Sequence, residues 1–67
     1  MGSKEEIAYR KELSRKLSAA REKLGLTQEE VAKRAGMGAN YYAKIERGEH
    51  TPKGTTLQKI YKALKIS

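Results

Sequence analysis

The stretch from Thr27 to Glu49, TQEEVAKRAGMGANYYAKIERGE, decides how this chain folds. Thr27 stands three residues before Glu30, the spacing at which a threonine hydroxyl accepts from the helix backbone while the glutamate reaches back, so a helix opens there. Gly36 closes it, because glycine takes the left-handed conformation that a helix exit needs at little steric cost. A second helix begins around Gly38 to Asn40 and runs to Arg47, where Gly48 stops it. Two short helices, 27–35 and 39–47, are thus joined by a three-residue turn. Apolar or small residues stand at Val31, Ala32, Ala35, Met37, Tyr42 and Ile45 and form the side that packs inward. Ala32 faces the following helix, where a larger side chain would hold the two apart. Gln28, Asn40, Tyr41, Lys44 and Arg47 are left for the outward side.

On the N-terminal side, Lys4 to Leu24 contains neither Pro nor Gly, and Leu13, Leu17, Ala20 and Leu24 recur at spacings of four, three and four, one apolar stripe on a helix. Gly25 ends this helix, 4–24, whose charged beginning, KEEIAYRKE, is prone to fray. Met1, Gly2 and Ser3 read as an expression scar outside the fold. On the C-terminal side the loop GEHTPKGT contains Pro52, which disfavours helix at Thr51. Thr55 or Thr56 is then expected to cap a fourth helix, 55–65, carrying Leu57, Ile60, Tyr61 and Leu64 on one side. There is no strand pattern, internal repeat or low-complexity segment. The expected fold is a single compact all-α domain of four helices over 1–67, with an extended first helix.

Composition narrows the function classes. Sixty-seven residues bury too little surface for a large internal active site, and without cysteine neither disulfides nor a thiolate zinc site can help the core. His50 is the only histidine and reads as a surface residue in a turn, so no metal and no cofactor is expected. Thr51, Thr55 and Thr56 have no histidine or paired carboxylate in a recognisable relation to them, so catalysis has no candidate and the chain does not read as an enzyme. Glu29 and Glu30 occupy a first helical turn, where the helix dipole favours negative charge. Fifteen Lys and Arg against eight Asp and Glu give a net charge of +7, the electrostatic footprint of a polyanion binder. No apolar run approaches the roughly 18 residues of a membrane span and no signal peptide is visible, which favours a cytoplasmic protein with no membrane partner.

From Leu13 to Ser67 the chain resembles the lambda-repressor-like helix-turn-helix domain, the Cro and phage-repressor type, through LGLTQEEVAKRAG, IERGE, Pro52 and TLQKIYKAL. The resemblance implies sequence-specific binding of double-stranded DNA by a transcriptional regulator, with the second helix of the motif in the major groove and the first across the backbone. Carried over by position, Gln28, Ala39, Asn40, Tyr41 and Lys44 are expected at base edges, Asn suiting adenine and Lys suiting guanine. Thr27, Arg47, Thr51 and Lys53 are expected at phosphates. Arg21 and Glu46 are implied as an ion pair tying the recognition helix to the first helix, and Gly36 and Ala32 as structural residues of the turn. An inverted-repeat site follows, bound by a homodimer formed on the DNA or through a C-terminal segment. The alternative from another class is an antitoxin or bridging module acting through a protein partner.

Several positions depart from the family. Gly38 stands where Ser or Thr usually caps, Tyr42 where a branched aliphatic is usual, and Gly54 where an apolar residue commonly completes the core. After KALKIS the usual fifth helix is absent: either the chain is cut from a longer protein or it is a minimal four-helix version, with Ile7 and Tyr9 expected to pack over the gap.

Overall fold

A computed structural model of the chain describes residues 3–66 and contains four helices: α1 (Lys4–Lys23), α2 (Gln28–Ala35), α3 (Ala39–Glu46) and α4 (Gly54–Leu64). No strand occurs among the described residues, so the domain is all-α. The helices enclose one core in which α2 packs on α3 and α4 while α1 closes over α3 and α4. Tyr42, Leu17, Ile45, Ile60, Leu64 and Val31 are its largest fully buried side chains. Ala32 and Ala35 are buried where α2 joins that core, small enough for its neighbours to approach closely.

The starts of α2 and α1 have a local cause. The Thr27 hydroxyl accepts from the Glu30 amide at 3.0 Å and the Glu30 carboxylate accepts from the Thr27 amide at 2.8 Å, a complete capping box at the head of α2. That bond from the Thr27 backbone, followed by the one from its hydroxyl, holds the Glu30 carboxyl below its ordinary range. Ser3, set aside as a scar on sequence grounds, caps α1 by accepting from the Glu6 amide at 3.1 Å; Met1 and Gly2 lie outside the described residues, as does Ser67. Gly38 precedes α3 in extended conformation without a side-chain cap.

The start of α4 corrects the sequence expectation. Its N-cap is Lys53, with no side-chain cap, and Thr55 and Thr56 lie inside the first turn. Pro52 is buried and anchors the chain just before the helix. Gly54 is the first helical residue, and a Cβ there would stand in open space. Ile7 and Tyr9 are likewise not packed: they remain 44% and 42% exposed on α1.

The helix exits share one device. At α1, α2 and α3 the backbone turns left-handed at Gly25, Gly36 and Gly48, and the next amide bonds back five residues, as from Met37 to the Ala32 carbonyl at 2.9 Å. The exit of α4 repeats the pattern, with the Ile66 amide on the Tyr61 carbonyl at 3.0 Å, but its left-handed residue is Lys65, at φ 57°. A side chain with a Cβ is strained in that conformation.

Candidate nucleic-acid interface

The inward side of α3 is locked by charge. Glu46 is 6% exposed and is the one buried charged residue among those described. Arg21 of α1 donates to it through Nε, at 3.0 Å to each carboxylate oxygen, and through Nη2 at 2.9 Å, while Nη1 donates to the Leu26 carbonyl at 2.9 Å. The Gln28 side-chain amide, at the head of α2, adds a third donor group at 3.2 Å. Burial pushes the Glu46 carboxyl up, but the facing Arg21, Tyr42 and Gln28 groups outweigh it and hold it below its ordinary range. The hydrogen bond to Glu46 in turn raises Arg21 against its own burial. The Ser14 hydroxyl donates to the Glu46 backbone carbonyl, so α1 also caps the C-terminal end of α3. A buried carboxylate with these donors fixes α3 against both α1 and α2.

Beside it, the Tyr42 hydroxyl is buried and makes no regular hydrogen bond, although it lies near Glu46. Burial, followed by the adjacent carboxylate, pushes this phenol well above the ordinary tyrosine range. Where the family usually has a branched aliphatic, the whole Tyr42 side chain, hydroxyl included, lies inside the core, 0% exposed.

The outward side has the opposite character. Asn40, Tyr41, Lys44 and Arg47 are exposed, and at 100° per residue Asn40, Lys44 and Arg47 share one narrow strip of the helix with Tyr41 beside it. Among the described residues, Asn40 and Lys44 make no side-chain hydrogen bond. Tyr41 leans on His50 of the following loop, hydroxyl to Nε2 at 3.2 Å with the rings edge to face at 5.2 Å. His50 therefore belongs to this surface, a role that nine residues of separation concealed in the sequence. Arg47 bonds Glu49 at 3.0 Å in the open; that hydrogen bond raises the guanidinium and holds the Glu49 carboxyl below its ordinary range.

Other expected contact residues have partners of their own. Ala39 is half-buried against the core, Thr27 is committed to its capping box, and Gln28 reaches inward to Glu46. The Thr51 hydroxyl donates to Glu6 of α1 at 3.0 Å. Lys53 is exposed at the N-cap of α4. Gly36, at φ 72°, sets the exit from α2 toward α3.

Two short helices joined through a left-handed glycine, the second with a locked inner side and a polar outer one, define a helix-turn-helix domain. The helix-turn-helix family model matches residues 17–67, and the chain belongs to this lambda-repressor-like family of DNA-binding domains. It is 38% identical over 58 residues to the uncharacterized HTH-type transcriptional regulator y4dJ of Sinorhizobium fredii (strain NBRC 101917 / NGR234), an alignment covering 87% of this chain and 75% of that protein. No solved structure matches the chain. Among the described residues, no helix is long and apolar enough to cross a membrane.

Proposed function

We propose that this domain recognises a DNA sequence by placing α3 in the major groove, as the reading module of a transcriptional regulator. The observation that carries the reading is the outer strip of α3: Asn40 and Lys44 stand exposed and without side-chain hydrogen bonds of their own on a helix whose inner side is clamped by Arg21, Gln28 and Ser14. Side chains with open donors and acceptors on a rigid helix suit base edges, Asn toward adenine and Lys toward the guanine acceptors. Tyr41 flanks them, and Ala39, half-buried, offers at most a methyl contact to thymine. Arg47, Thr51 and Lys53, around the loop after α3, suit backbone phosphates, and the net charge of +7 supports polyanion affinity. Gln28 and Thr27 at the head of α2 stand where the first helix of the motif crosses the backbone, Gln28 retaining its side-chain carbonyl and one amide proton beyond the bond to Glu46. The Sinorhizobium relative, an HTH-type transcriptional regulator, supports this role. A two-fold dimer on an inverted repeat, with half-sites about 34 Å apart, is the arrangement that the motif favours.

Selecting bound duplexes from a random pool, then titrating variants on the best site and on random duplex at several salt concentrations, tests the reading. Asn40→Ala and Lys44→Ala should each weaken the best site by about 1 to 3 kcal/mol and scarcely change random binding. Lys53→Ala should weaken both and lower the salt slope by about 0.9. Uniform losses for all three, or no enriched consensus, would show that α3 does not read bases and would favour a protein-directed role.

A further inference from the structure

Residues Glu6, Arg10 and Ser14 fall four apart on α1 and run along the end of α3 and the loop behind it. Ser14 holds the Glu46 carbonyl, the Arg10 carbonyl lies 3.5 Å from where a Cβ on Gly48 would stand, and Glu6 holds Thr51. The last contact has a chemical consequence. A threonine hydroxyl has one proton to donate, and here it goes to Glu6 Oε2; a phosphate oxygen only accepts, so it cannot bond Thr51 as donor until the carboxylate lets go. The same Glu6 oxygen lies 3.2 Å from Arg10 Nη2, so Glu6 keeps a partner when it releases Thr51. Arg47 is in a parallel position, with Nε and Nη2 both directed to the Glu49 carboxylate, at 3.0 and 3.3 Å. Two groups suited to the DNA backbone are thus engaged by an internal anion, the Thr51 hydroxyl wholly and the Arg47 guanidinium along its Nε–Nη2 edge.

We infer that the Glu6 and Glu49 carboxylates are internal competitors for the DNA backbone, occupying in the free domain the Thr51 hydroxyl and the Nε–Nη2 edge of the Arg47 guanidinium that phosphates take on binding. The inference rests on the proposed DNA reading and assigns α1, through Glu6, a part in setting affinity. An incoming phosphate must displace Glu6 from the Thr51 hydroxyl, and Glu49 from the Nε–Nη2 edge of Arg47, and in either place it remains near the carboxylate charge, so each acid weakens binding on every sequence alike. Thr51 donates to a phosphate only when Glu6 is given up, and Arg47 offers its paired Nε and Nη2 donors only when Glu49 is given up, although its remaining N–H groups stay open.

The test is titration of Glu6→Gln, Glu49→Gln and Thr51→Val, with the Glu6→Gln/Thr51→Val double variant, on a fixed random duplex and on the selected site. Thermal melts check that every variant is folded. Glu6→Gln and Glu49→Gln should each tighten both duplexes by the same factor, about 3-fold to 10-fold at low salt, because a like charge near a phosphate is removed. The gain from Glu6→Gln should shrink in the Thr51→Val background, where the contested proton is gone. Folded single Gln variants that bind as the wild type does, or more weakly, would overturn the competition and leave Glu6 and Glu49 as structural contacts. Failure of the DNA reading looks different: the wild-type domain then shows no salt-dependent retention on either duplex, and the Gln variants do not restore it, which overturns the inference as well.

Discussion

The two sides of α3 solve opposite problems within eight residues. Inside, Tyr42, Ile45 and Glu46 are buried, and the one charge among them is held by Arg21 and Gln28 and backed by a capped backbone carbonyl. Outside, Asn40 and Lys44 have no side-chain hydrogen bonds among the described residues, and Tyr41 has only its loop histidine. The difference teaches that anchoring and exposure are assigned to separate residues of one short helix. Position is set from behind, so that the front is free to present unsatisfied donors and acceptors.

The largest effect that would break this division comes from the inner side. Arg21→Ala and Glu46→Ala should each destabilise the fold by about 1 to 3 kcal/mol, because each strands a charged partner. The double variant should lose less than the sum, and additive urea midpoints would dissolve the idea of a coupled lock. Acid should act on the same lock. The folded Glu46 carboxyl lies below its ordinary value of 4.5, so its contribution is present above that value and is lost as pH falls through the lower folded one. Urea midpoints should therefore drop as pH falls below about 5, and less steeply in Glu46→Gln. A residual slope remains from Glu30 and Glu49, whose carboxyls are also lowered. Equal slopes in the two proteins would remove Glu46 from the account.

A site on neither side calibrates these numbers. Lys65 occupies the left-handed exit where the other three helices have glycine, so Lys65→Gly should raise stability by about 1 kcal/mol in the same urea series. The smallest effects belong to the outer side: Asn40→Ala and Lys44→Ala should leave stability within about 0.5 kcal/mol of wild type. A larger loss at either would mean that the proposed reading surface is also structural.

Much of the core motif was legible because its signals are local. Thr27 and Glu30 declare the start of α2 three residues apart, and the turn residues Gly36 and Gly48 occupy left-handed exits that few other residue types tolerate. The start of α4 was misread for the converse reason. Two threonines offered a plausible cap, but Pro52, buried by tertiary packing, anchors the preceding chain and the helix begins without any side-chain cap. Contacts such as Glu6 with Thr51 leave no trace in periodicity, since 45 residues separate them and neither belongs to an apolar pattern. The outer strip of α3 could be marked by composition, whereas the inward turn of Gln28 toward Glu46 depends on where α1 delivers Arg21, which spacing along α2 does not encode.

Tyr42 also sets a boundary at the other end of the pH scale. Its buried phenol resists ionisation, so the proton it carries is bound more tightly in the folded chain than in the unfolded one. The stabilisation is therefore intact below the ordinary tyrosine value and drains away as alkali rises through it, because only the opened chain releases that proton easily. In an alkaline absorbance titration, the ionisation of this one tyrosine should coincide with loss of the helical signal. The residue that fills the centre of the core thus becomes an optical reporter of its opening, and no label has to be introduced to follow it.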